Sequence, residues 1–141
     1  YAMFLNIEKF KNIFFDENFF LYFDEIDLCN SVLNKEGQIY IDQNIVVEHD
    51  GGSSVGTQFQ HELDKNRNWH WMWSTFYFHK KHKGLPISII IILPKFISSL
   101  FKFFLYKILN KTKESEIYYC RLSGIFNSII GKKSWYRPAL D

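Results

Sequence analysis

The chain has 141 residues, of which 47% are hydrophobic, enough for one domain with a real core and too few for two comfortable ones. A formal net charge of +2 excludes strong nonspecific affinity for nucleic acid, and none is expected as a partner. Acids crowd the first half and lysines the second, and Cys29 and Cys120 lack metal-ligand spacing, which suits reduced cysteines in a cytosolic setting.

The run Tyr1-Ala2-Met3-Phe4-Leu5 is apolar and carries no signal-peptide pattern; it reads as a strand that needs neighbours, and so as part of a longer protein. Asn6 can cap a short helix whose stripe is Ile7, Phe10, Lys11 and Ile13. Residues 14–20 read as a loop presenting Asp16 and Glu17. From Asp24 the pattern is helical, with Ile26, Cys29 and Leu33 on one face and Leu28 and Val32 flanking it. Asp24 suits the N-cap, acids in the first turn suit the helix dipole, and Gly37 supplies the stop. Residues 15–29 thus hold five carboxylates among five aromatic rings, an arrangement that suits acids held against a rigid apolar wall.

Residues 38–41 and 45–48 are β-rich and flank Asp42-Gln43-Asn44, which predicts strand, turn and strand. The second strand delivers His49 into the Gly- and Ser-rich stretch 50–56, either an anion-wrapping nest or an ordinary surface turn. Residues 66–82 place Trp69, Met72, Trp73, Phe76 and Tyr77 at helical spacing, a stripe expected in the core. His61, His70, His79 and His82 surround it without the acids or cysteines of a zinc set.

Residues 85–109 form the most hydrophobic segment, with Pro86 and Pro94 inside it, and Lys95 interrupts the apolar run. Lys95, Ser99, Lys102 and Tyr106 fall on one helical face. That is the form of a helix lying in a membrane interface with its lysines toward the headgroups, the alternative being a helix packed on a missing part of the protein. Residues 111–115 are a polar break, 117–130 are helix-like again, and 131–138 close as a basic, aromatic tail.

Three carboxylates at one helix entrance and a histidine after a following strand can supply a general base and a metal ligand, or can form a satisfied structural cluster. The succession Asp16-Glu17-Asn18, Asp24-Glu25-Ile26-Asp27-Leu28-Cys29, Gly37 and Val46-Val47-Glu48-His49-Asp50-Gly51-Gly52-Ser53-Ser54, followed by Arg67-Asn68-Trp69-His70 and the tail from Gly131 to Pro138, resembles the carboxy-terminal half of the catalytic domain of family 2 glycosyltransferases, in particular the rhamnosyltransferase-like enzymes. The resemblance implies an α/β fold: residues 1–83 would be the acceptor-side part of a Rossmann-like domain, and residues 84–141 a helical, membrane-associated region. It implies inverting transfer of a sugar from a nucleotide-sugar donor to a cell-surface polysaccharide or lipid-linked acceptor at the cytoplasmic face of a bacterial plasma membrane. Glu25 would be the catalytic base, with Asp24 beside it and Asp27 one turn on, and His49 would bind a divalent metal, Mg or Mn. The chain departs from the family in having Asp24-Glu25 where many relatives have Glu-Asp, Ser31 where an arginine is common, and no Asp-x-Asp, so the donor-binding half is expected upstream. The alternative reading is a noncatalytic membrane-surface or scaffolding module.

Overall fold

The computed structural model describes residues 3–6, 8, 9, 15–48 and 56–139. Its elements are α1 (Asp24–Asn34), a single 3-10 turn (Thr57–Phe59), α2 (Gln60–Ile108) and α3 (Thr112–Ile129). Among the described residues there is no strand or sheet, which overturns the α/β expectation. Residues 38–41 and 45–48 run without helix or ladder, with Tyr40, Ile41 and Val46 exposed. The turn between them does form, since Asp42 Oδ1 accepts the Asn44 N–H at 2.9 Å. The physical reason for the missing strands is that a β-rich run needs a partner for its backbone groups, and an isolated pair of strands is marginal in water.

The expectation for Asn6 is met only locally: the Lys9 N–H lies 3.1 Å from the Asn6 carbonyl, while the stripe from Ile7 to Ile13 lies outside the described residues. So does the Gly- and Ser-rich stretch before Gly56.

α2 is two helical arms. Gly84 breaks it with φ 79° and ψ 170°, a conformation only glycine adopts without strain. Pro86 follows in the first turn of the second arm, where a missing N–H costs nothing. The first arm (60–83) and second arm (85–108) fold back on each other, because Met72 and Phe76 of the first pack with Ile92 of the second and Ile125 of α3. Asn110 reverses the chain in the left-handed region (φ 53°), and α3 returns antiparallel to the second arm, with Tyr106 stacked on Tyr118. The result is a three-helix bundle.

Four members of the expected stripe form the core of this bundle, Trp69, Met72, Trp73 and Phe76 being buried, while the fifth, Tyr77, is half-buried at its edge. α3 meets it with small side chains. Ser123 accepts the Trp69 indole N–H at 3.1 Å, and the Ser128 hydroxyl donates to the Trp73 carbonyl at 2.9 Å. A Cβ on Gly124 would sit 2.3 Å from the Trp69 carbonyl oxygen, so the approach of α3 to the first arm depends on glycine there.

The second arm is amphipathic as expected but faces the other way. Its polar residues point into the bundle: Ser99 is fully buried and accepts from Arg121 Nε at 3.2 Å, and Arg121 Nη1 reaches Asn68 Oδ1 at 3.4 Å. Lys102 lies over the Tyr118 ring. The apolar residues look outward, with Ile90 70%, Phe101 67% and Ile108 78% exposed. The lysines of this arm therefore do not form an outer, headgroup-facing stripe. α2 is the one helix among the described residues that is long and apolar enough to cross a membrane, and its length and composition suit membrane association.

Candidate functional site

The site is built on the entrance of α1. Tyr22 and Phe23 precede it, both in the left-handed region with φ of 66° and 70°. Each such bulky residue costs on the order of 1–3 kcal/mol and persists only where its surroundings hold it. Here the Tyr22 ring meets Trp71 edge-on at 5.1 Å, and the Phe23 ring packs on Phe78 at 5.1 Å and Trp71 at 5.5 Å. Phe23, not Asp24, occupies the N-cap position, and no side chain caps the helix. Asp24, Glu25 and Asp27 all lie in the first turn, where negative charge offsets the helix dipole.

Their environments differ sharply. Asp27 is buried, with Oδ2 accepting from Lys81 Nζ at 2.8 Å and Oδ1 2.7 Å from His82 Nε2. Asp24 is half-buried. Glu25 is exposed, and it has no hydrogen bond or ion pair with any described residue. The structure therefore separates Glu25 from Asp27, which sit two residues apart and so on different sides of the helix.

The clamp on Asp27 also turns α1. The buried face is Asp27, Leu28 and Val32, while Ile26 and Leu33 of the expected stripe are exposed. A buried carboxylate must meet its cation, and that requirement outweighs the small gain from turning Ile26 inward. At the far end Glu36 carries the positive φ, and Gly37 is needed for a close approach, since its Cβ would fall 2.5 Å from Val32 Cγ1.

Asp16 completes the cluster. Its Oδ2 accepts from Lys81 Nζ at 2.8 Å and from the Tyr77 hydroxyl at 3.0 Å, and its Oδ1 takes the Asn18 backbone N–H at 3.0 Å. Burial pushes the Asp16 pKa up, but the Lys81, Asn18 and Tyr77 hydrogen bonds outweigh it and hold the group at about 2. Lys81 is shifted the opposite way: burial works to lower its pKa, and the two carboxylates raise it.

Lys81, His82, Tyr77 and Asn18 were not singled out as partners of the acids in the sequence. The signal was there in part: Tyr77 and Lys81 stand four apart on one face of a helix.

Of the remaining histidines, His79 packs against Phe23 and Phe78 with its buried Nδ1 unpaired among the described residues. His61 pairs with Glu116 at 2.8 Å. His70 is fully buried, with the Ser134 hydroxyl 2.8 Å from Nδ1 and the Tyr136 carbonyl 2.8 Å from Nε2, and it ties the tail to the first arm. Arg137 in the same tail lies over the Phe20 ring at 3.5 Å. His49, the expected metal ligand, lies outside the described residues. Among the described residues no group of three or more His, Cys, Asp or Glu could hold a metal ion. Comparison with protein-family models, curated proteins and solved structures returns no match to this chain.

Proposed function

We propose that the chain is the acceptor-side part of a family 2 glycosyltransferase that works at a membrane surface, with Glu25 as its general base. The ordered motif around Asp24-Glu25-Ile26-Asp27 supports the family, and the observation that carries the role is the contrast between Glu25 and Asp27. One carboxylate is open and has no partner among the described residues, while the other is buried with both oxygens engaged. Asp27 is then a positioning residue that fixes the helix entrance, and Glu25 is the group able to reach a substrate.

In the reaction, an acceptor hydroxyl oxygen forms the new bond to the anomeric carbon and gives its proton to the Glu25 carboxylate. The bond from the anomeric carbon to the donor phosphate breaks, and the nucleoside diphosphate leaves with the electron pair. Inversion follows from attack opposite the leaving group. The donor is a nucleotide sugar of the rhamnose type, and the acceptor a polysaccharide or a lipid-linked saccharide. His49, the expected ligand of a divalent metal, lies outside the described residues, and no step is routed through a metal.

Glu25→Gln in the complete protein is expected to lower sugar transfer from the nucleotide sugar by about 10²- to 10⁴-fold with folding unchanged. Asp27→Asn should lower both transfer and stability. Full turnover in Glu25→Gln would remove Glu25 from the role. The outward apolar face of the second arm favours a second reading, a noncatalytic membrane-surface module. That module would bind membranes and show no transfer in either form.

A further inference from the structure

The lysines left over by the Asp16 and Asp27 clamp converge on one place. A cleft of about 310 Å³ opens between the loop at Asn18, the first arm at Tyr77 and Lys80, and the tail at Lys132 and Lys133. A second cleft of about 400 Å³ continues it past Asn18 and Lys133 to Arg137. Together they form a groove of small-ligand size.

Its charge is one-sided. Lys80, Lys132 and Lys133 are exposed and make no ion pair or hydrogen bond through their side chains with any described residue. Arg137 is held in place by the Ser134 and Tyr136 carbonyls, at 3.1 and 2.7 Å, and has no carboxylate partner among the described residues. Against these four cations stands one lining carboxylate, Glu17. Asp16 and Asp27 are already occupied by Lys81.

The groove also has a telling position. Lys80 lies four residues before Gly84, the point where the second arm begins, and that arm opens with Leu85, Ile87, Ile89 and Ile90 exposed. Lys80 thus places one end of a cationic groove at the root of an outward-facing apolar helix, which matches the layered chemistry of a membrane surface, with hydrocarbon beside phosphate.

We propose that this groove is a binding site for the phosphate of an anionic lipid headgroup, which anchors the chain where the second arm enters the interface. The proposal rests on the membrane association stated above and not on glycosyl transfer. Lys80, Lys132 and Lys133 supply the charge, and the immobilised Arg137 guanidinium offers a preset fork for phosphate oxygens.

The test is vesicle co-sedimentation of the intact protein, using phosphatidylcholine alone and phosphatidylcholine with a one-third share of phosphatidylglycerol. The wild type is expected to prefer the anionic vesicles. Lys80→Gln, Lys132→Gln and Lys133→Gln should each weaken that binding about five-fold at low salt, and the triple variant about a hundred-fold. Binding to neutral vesicles should not change, and the triple Lys→Arg variant should keep the wild-type preference. The control, Lys111→Gln with Lys113→Gln, lies beyond the other end of the second arm and should have little effect.

Equal losses in control and groove variants would mean diffuse charge and overturn the site. Displacement by inorganic phosphate, beyond that by chloride at matched ionic strength, would assign the groove to a soluble phosphate ligand and overturn the lipid source. Binding to neither vesicle would overturn both the site and the membrane reading. Anionic preference that survives the triple Gln variant would overturn the site alone.

Discussion

Acid should loosen this protein through His70 before it touches the carboxylates. His70 is fully buried among the rings of Phe20 and Trp69, the Ser134 hydroxyl, the Tyr136 carbonyl and the Arg137 guanidinium. Burial lowers its pKa to about 4 from 6.5, the Tyr136 carbonyl works against the shift, and Arg137 adds to it. Above pH 6.5 the ring is neutral whether the chain is folded or unfolded, so it makes no pH-dependent contribution. Below that, the unfolded chain takes up a proton that the folded chain refuses, and stability falls until the pH reaches about 4. At about 1.4 kcal/mol per pH unit the loss is about 3 kcal/mol. Urea titrations at pH 7.5, 6, 5 and 4, read by tryptophan fluorescence, should therefore show a falling midpoint in the wild type. His70→Gln should start lower, having lost a packed ring, and be flat over the same range. A parallel fall in the variant would refute the assignment to His70.

Asp16 governs a separate window: its pKa of about 2 lies below the ordinary 3.8, so its contribution of about 2 kcal/mol is present above pH 3.8 and is lost as the pH falls toward 2. Asp16→Asn should remove that limb, as measured by the difference between urea midpoints at pH 4.5 and 2. Gly124→Ala places a methyl 2.3 Å from the Trp69 carbonyl and should cost about 1–3 kcal/mol in denaturant unfolding, and an unchanged midpoint would contradict the close approach of α3. Ile90→Ser with Phe101→Ser removes two outward apolar side chains and should weaken partition into neutral vesicles by about a hundred-fold with stability unchanged. A loss of stability instead would show that this face packs against protein.

Periodicity made the bundle's core legible. Trp69, Met72, Trp73 and Phe76 recur at helical spacing, and aromatic rings of that size have few places to go but inward. The same rule identified Lys95, Ser99, Lys102 and Tyr106 as one face of the second arm. It could not tell which way that face points, because spacing groups residues on a side and leaves the surroundings to decide the rest. Asn68, Tyr118 and Arg121, from two other helices, make the inward side polar. The strands failed for a related reason: β-rich composition at 38–41 and 45–48 describes segments able to pair, and an isolated pair is marginal in water. At α1 the stripe of Ile26, Cys29 and Leu33 was a fair reading of apolar positions. It was overruled by one carboxylate, Asp27, whose partners lie more than fifty residues away.

Three features that look unrelated along the chain meet near one end of the bundle. Asp27 is clamped by Lys81 and His82, within three residues of Gly84, where the first arm ends and the apolar arm starts. Glu25 lies two residues from Asp27, within one turn of α1. The cationic groove opens beside Lys80 and Lys81 on the same stretch. If the second arm enters the interface from Gly84, the helix entrance that carries Glu25 sits near headgroup height, with phosphate-binding lysines beside it. A base placed there is suited to a hydroxyl on a membrane-attached acceptor more than to one free in solution. The strained pair Tyr22 and Phe23 then has a physical purpose: it turns the chain so that Asp27 points into the clamp and Glu25 is left outside it.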